Sequence, residues 1–221
     1  MVEDKSFDHL AQSLVDKSLT KQDLLNRVKQ DFTLVPLLLK GVCSSKASVR
    51  YGCAKVLMDF SEEYPEQIYP YMDSIIGLLD SKFRILKWNA FAIIANLTKV
   101  DIDNKFDAIF EKYYSFLDDD YMVTVANVVG NSSIIAEAKP YLISRITDEL
   151  LKLQDLSIGP HLTEECKRVI AQSAIKTFDS FFDKVEQKDK VLSFVRLYVK
   201  SPRKKLRNIS QFFIKKWDRS I

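Results

Sequence analysis

A chain of 221 residues with 47% hydrophobic and 11% aromatic residues is too apolar for disorder, and it is long enough to close a core without disulfides or metals. Five glycines and six prolines leave out glycine-rich phosphate loops, collagen and turn-dense β architectures. With 33 basic against 30 acidic residues the net charge is only +3, which excludes a uniformly basic nucleic-acid binder but not a local basic patch.

Apolar residues recur at helical spacing along almost the whole chain. Phe7, Leu10, Ala11 and Leu14 mark a first short helix. Thr20 precedes a second, through Leu24, Leu25 and Val28, with Asp23 completing a variant of the capping box. From Leu34 the pattern becomes a series of helix pairs. The first covers Leu34 to Val42 and Lys46 to Phe60, with Val35, Leu38, Leu39 and Val42 facing Val49, Cys53, Val56, Leu57 and Phe60. The second covers Ile68 to Leu79 and Phe83 to Leu97, with Met72, Ile75, Ile76 and Leu79 facing Ile85, Trp88, Phe91, Ala92 and Ala95. The third covers Phe106 to Leu117 and Tyr121 to Ala136, the fourth Pro140 to Leu153 and Thr163 to Phe182, and the fifth Lys188 to Val199 and Pro202 to Trp217. Ser44-Ser45, Asp80-Ser81, Asp118 to Asp120 and Ser201-Pro202 stand as cap and turn residues between paired helices, with Pro202 at a first helical position. The fourth loop, Gln154 to Leu162, is longer and contains Gly159-Pro160. No alternating β-branched run competes with helix.

The second helices align on an apolar residue followed five later by a small or apolar one: Val49/Ala54, Ile85/Ala90, Val123/Val128, Val169/Ala174 and Leu206/Gln211. The intervals are 36, 38, 46 and 37 residues, the long one holding the extended fourth loop. A hairpin of this size cannot bury both apolar faces alone, so stacked neighbours must complete the core. Val49-Arg50-Tyr51-Gly52-Cys53-Ala54, preceded by Pro36-Leu37-Leu38-Leu39, resembles the helix start of HEAT repeats and their armadillo relatives. Leu206-Arg207 repeats the step from hydrophobe to arginine, whereas Leu86 and Thr124 stand where arginine is expected in the second and third units. Pro70 and Pro140 lie near first-helix starts, as they do in such repeats. The resemblance implies an all-α fold, an α-α superhelix (right-handed solenoid) of about five HEAT-like hairpins plus an N-terminal helical cap. It reads as one domain over 1–221, with the cap at 1–33, central repeats at 34–186 and a basic C-terminal repeat at 187–221.

Catalytic signatures are thin. The two histidines, His9 and His161, have ordinary structural readings, and no P-loop, G-x-S-x-G, H-E-x-x-H or C-x-x-C pattern occurs. Glu164 and Glu165, beside His161 and Cys166, suit a helix start. The run Asp118 to Asp120 lacks the spacing of a calcium loop, and Asp101, Asp103 and Asp107 fit no metal geometry. The expectation is therefore no catalytic residue, no cofactor and no metal. Cys43, Cys53 and Cys166 match no zinc module; Cys53 and Cys166 read as core residues. Odd cysteine number, a polar N-terminus and short apolar runs together indicate a cytoplasmic protein without a membrane span.

Charge is the exception to uniformity. From Lys188 to Ile221 there are 11 basic and two acidic residues, a net +9 that leaves −6 for the rest. Arg203, Lys204, Lys205 and Arg207 form the densest cluster. The interspersed Phe194, Leu197, Tyr198, Ile209, Phe212, Phe213 and Trp217 are expected to pack their own hairpin. Further basic residues stand on second helices: Arg50 and Lys55, then Lys82, Arg84 and Lys87, then Lys167, Arg168 and Lys176. The second helix of the third unit carries none. Trp88 is either packed between hairpins or exposed as an anchor for a peptide or a base.

Arg50, Arg84, Lys87, Trp88, Arg203, Lys204, Lys205 and Arg207 are thus the candidate contact residues. The leading expectation is a non-enzymatic scaffold that binds another protein through the concave face or the basic C-terminal repeat. The alternative is a nucleic-acid-binding repeat protein. A basic concave surface would resemble the HEAT-like alkylpurine DNA glycosylases, whose catalytic set matches no residues here. A small enzyme using His161 is a third, remote reading.

Overall fold

A computed structural model describes residues 2–218 of the chain, which leaves Arg219 of the basic segment outside it. Among the described residues thirteen α-helices follow one another: α1 (Val2–Val15), α2 (Lys21–Gln30), α3 (Val35–Val42), α4 (Ala47–Glu63), α5 (Pro65–Ile68), α6 (Met72–Gly77), α7 (Arg84–Leu97), α8 (Lys105–Ser115), α9 (Met122–Ala138), α10 (Ile143–Leu151), α11 (Glu164–Phe181), α12 (Lys188–Arg196) and α13 (Lys204–Trp217). Single 3-10 turns extend many of them. Among the described residues, extended pairing is confined to one bridge between Gly159 and Leu162. The chain forms two compact units, one ending at Lys105 and the other beginning at Phe106.

In the first unit α1 and α2 both pack on α4, and α1 also packs on α3. Thr20 closes the capping box at α2: its side chain accepts from the Asp23 N–H, and the Asp23 carboxylate accepts from the Thr20 backbone. The pairs α3/α4 and α5–α6/α7 follow, with α4 packed on α7. Tyr69-Pro70-Tyr71 is a 3-10 turn that splits the first helix of the second pair. Pro70 lacks the N–H that a continuous helix would use there. The core is the stack of Leu38, Val49, Cys53, Leu57, Phe60, Ile75, Phe91 and Ile94, each fully buried.

Gly41 sets how closely α3 approaches α4. A Cβ added there would lie 2.3 Å from the Cys53 sulfur and 3.1 Å from its Cβ. Gly41→Ala should therefore cost about 2 kcal/mol by overpacking. Cys53→Ala removes the sulfur and should cut that penalty by more than half, which a double-mutant cycle on urea unfolding would read directly.

In the second unit the pairs are α8/α9, α10/α11 and α12/α13; α11 packs on α9 and on α13. Phe106, Phe110, Tyr113 and Tyr114 form a contiguous aromatic cluster on α8, with centroid separations of 4.5–6.2 Å. The Tyr114 hydroxyl donates to Ser132 Oγ at 3.1 Å, and Ser132 in turn donates to the Val128 carbonyl. A second aromatic group, Phe178, Phe182, Phe194 and Phe213, fills the last two pairs.

The turns before second helices explain where they start. Lys46, Phe83, Tyr121 and Arg203 are the N-caps of α4, α7, α9 and α13, all extended and none capping with its own side chain. Instead the polar residue two positions earlier accepts their backbone N–H: Ser44 at 3.2 Å, Ser81 at 3.1 Å, Asp119 at 2.8 Å and Ser201 at 3.3 Å. These are side-chain turns that precede the helix. Pro202 accordingly sits in the bend, and α13 begins at Lys204, not at the proline. Of the second helices from α4 onward, α11 instead has a true side-chain cap, Thr163, which accepts from the Cys166 N–H.

Aligning on these turns corrects the repeat register. Val49 corresponds to Leu86, Thr124 and Leu206, each three residues after its N-cap and all buried. Ile85 and Val123, expected to face inward, are 42% and 38% exposed. Lys87 is therefore the counterpart of Arg50 and Arg207, and Trp88 is the counterpart of Tyr51. An apolar anchor cannot distinguish Ile85 from Leu86; the serine turn can.

Candidate interaction surface

Arg50 is not available to a partner. It is 7% exposed, and its Nη1 donates to the Ser44 and Ser45 carbonyls at 2.8 and 3.1 Å. Its guanidinium lies 3.8 Å from the Phe83 ring centre and 4.7 Å from that of Tyr51. The residue thus ties the turn before α4 to the start of α7. Arg84 is exposed, while Lys87 and Trp88 are half-buried; helical spacing puts the three on one side of the first turns of α7. Trp88 is neither enclosed between hairpins nor free of the helix surface. Lys55 pairs with Asp59 at 2.5 Å along its own helix.

In the second unit the described arginines of the basic segment are engaged. Arg203 forms an ion pair with Glu165 and donates from Nε to Gln172 at 3.3 Å. Arg203 and Arg168 together hold the Glu165 carboxyl below the usual carboxylate range. Arg207 Nη1 donates to the Ser201 carbonyl at 2.7 Å, the same turn-closing bond that Arg50 makes. Arg196 pairs with Asp218 at 2.5 Å. Lys204 and Lys205 are exposed.

Glu164 and Glu165 stand in the first turn of α11, where carboxylates favour the helix dipole. His161 stacks on Tyr121, centroids 4.6 Å apart, at the tip of the fourth loop. That loop closes on itself through paired Gly159 and Leu162 backbone bonds of 3.0 and 3.1 Å. Cys53 is in the core, and burial pushes its thiol up to about 12. Cys166, expected in the core, is only half-buried because the Thr163 cap holds it at the first turn of α11. Among the described residues no group of three or more His, Cys, Asp or Glu side chains is placed to hold a metal ion. Among the described residues, too, no helix is long and apolar enough to cross a membrane.

What the sequence pattern missed is the outer row of the second helices. On α9 it consists of Asn127, Gly130 and Asn131; on α11, of Ser173, Lys176 and Ser180. A Cβ at Gly130 would come 3.9 Å from Ser173 Oγ, so the two rows adjoin. On α13 the row is Lys204, Asn208, Phe212 and Lys215, at helical spacings of four, four and three. Phe212 is 64% exposed, and so is Leu197 at the end of α12; both were expected to pack inside the hairpin. Phe213 takes the inner position instead. A cavity of about 380 Å³ opens between α11 and α13, lined by Lys176, Asp179, Asn208, Ile209, Phe212 and Phe213. Asp179 in its wall is neutralised by Lys216 at 2.8 Å and accepts from Trp217 Nε1 at 2.6 Å.

Helix pairs stacked through their second helices define an armadillo- or HEAT-like helical-repeat fold. Solved structures agree: the chain is similar to the designed armadillo repeat protein YIII(Dq)4CqI, at 16% identity and a TM-score of 0.60 over 95% of this chain and 92% of that one. It is also similar to the designed armadillo repeat protein YIII(Dq.V1)4CPAF in complex with peptide (KR)4, at 16% identity and a TM-score of 0.58 over 96% and 91%. No family model and no curated protein matches the sequence.

Proposed function

We propose that this protein is a binding scaffold that holds a segment of another protein on the second helices of the unit beginning at Phe106. One observation carries the reading. Three successive second helices present amides, hydroxyls, a glycine and lysines outward, beside a cavity floored by Ile209 and Phe213. Short polar side chains with a close-approach glycine leave room for a partner backbone and offer it hydrogen bonds, and the cavity accepts one apolar side chain. One similar structure, a designed armadillo repeat protein in complex with peptide (KR)4, supports peptide holding as a task of this fold. The three free cysteines suit a reducing, cytoplasmic setting.

The nucleic-acid reading keeps one supporting feature, the exposed Lys200, Lys204, Lys205 and Lys215. Its cost is the run of α9, Met122–Ala138, which carries no lysine or arginine and breaks any phosphate track. An affinity pulldown with the full chain tests the two together. A stoichiometric protein partner is expected. Salt-labile recovery of DNA or RNA, with no protein partner, would overturn the scaffold reading.

A further inference from the structure

The face of α13 states what chemistry its partner carries. Lys204, Lys205, Asn208, Phe212, Lys215 and Lys216 fall within one arc of this helix, and no carboxylate shares it. Lys216 is taken by Asp179, whereas no described ion pair neutralises Lys204, Lys205 or Lys215. The described arginines of the segment, Arg196, Arg203 and Arg207, are turned to intramolecular carboxylates and a carbonyl. What remains outward is therefore lysine, on both sides of an exposed phenylalanine that rims the cavity. Lys176 adds a further cation from the opposite wall.

We infer that the groove between α11 and α13 docks an acidic peptide segment, anchored by one large apolar side chain inserted beside Phe212. Lysines one turn before Asn208 and one turn after Phe212 would meet carboxylates that flank the anchor. The anchor would cover the phenylalanine ring and the Ile209 side chain, a contact of the kind that dominates peptide affinity. A nucleic-acid strand fits less well. The cationic row ends at α11, because α9 offers no lysine or arginine to continue a phosphate track. This inference rests on the scaffold reading and narrows it to one partner class.

Fluorescence anisotropy with the full chain tests it. The probes are a labelled peptide of glutamates around a single phenylalanine, its serine counterpart, its arginine-for-glutamate counterpart and oligo(dT). The glutamate–phenylalanine peptide is expected to bind best. Losing its phenylalanine, or introducing Phe212→Ser into the protein, should each weaken binding by about tenfold. Lys204→Glu together with Lys215→Glu should weaken it further and flatten its salt dependence, with the melting temperature unchanged in all variants. Equal binding of the serine peptide, indifference to Phe212→Ser, or tighter binding of oligo(dT) would overturn the inference. A random peptide library displayed against the same chain separates the two levels. Enriched peptides that are not acidic, or that ignore Phe212, overturn this docking mode and leave the scaffold standing. A library that yields no binder, with no partner in the pulldown, removes both.

Discussion

Ala90→Asp is expected to unfold the first unit. Ala90 is fully buried on α7, between Phe91 and Asn89, which are themselves enclosed. An aspartate there is shut away from water. Placing an unpaired carboxylate in such a position costs more than about 4 kcal/mol, against a total stability of about 5–15 kcal/mol for a domain. The control sits on the same helix. Ile85→Asp changes a residue that is 42% exposed, so its effect should stay below about 1 kcal/mol. Circular dichroism melts of the two variants separate the registers: a repeat phase that buried Ile85 would make both substitutions severe. Comparable melting temperatures for the wild type and Ala90→Asp would refute the packing of α7.

Arg50→Ala should lower stability by about 3 kcal/mol, a large effect for a residue whose type usually stands in solvent. Two charge-assisted bonds to the Ser44 and Ser45 carbonyls are lost, along with stacking on Phe83 and Tyr51. Arg50→Lys should recover less than half, because an ammonium cannot span two carbonyls while lying flat on a ring. The comparison is Arg207→Ala, where a single bond to Ser201 is lost from a half-buried side chain. There the loss should be about 1 kcal/mol. Urea unfolding followed by amide exchange across the turn before α4 would read both. Undisturbed protection there in Arg50→Ala would show that the arginine does not hold the turn.

Much of this architecture is legible from residues alone. The pairing of helices, the box at Thr20 and Asp23, and the exceptional fourth loop all follow from local chemistry that acts within a few residues. Register was harder. Ile85-Leu86 offers adjacent residues of similar hydrophobicity, and in Met122-Val123-Thr124 the buried residue is the threonine, despite its hydroxyl. The site was least legible. Arginine reads as a surface charge in a sequence, but its destination depends on which carbonyls and carboxylates the fold brings near it. Thus Arg50, Arg203 and Arg207 make bonds within the chain that their sequence does not announce, while Phe212, expected in the core, stands outward. Helix α13 contains Phe212-Phe213 in tandem, and only the direction of α11 decides which ring is covered.

Long-range polar links within each unit span a recurring interval. Ser61 on α4 meets Asn96 on α7, 35 residues apart. In the other unit Glu111 on α8 meets Arg145 on α10, and Asp179 on α11 meets Lys216 on α13, at 34 and 37. Each such bond joins a hairpin to its immediate successor, so a newly made helix pair needs only its predecessor in order to dock. During synthesis the chain can therefore consolidate hairpin by hairpin as it leaves the ribosome, without waiting for distant sequence, and an apolar face stays uncovered only for the time taken to make the next pair.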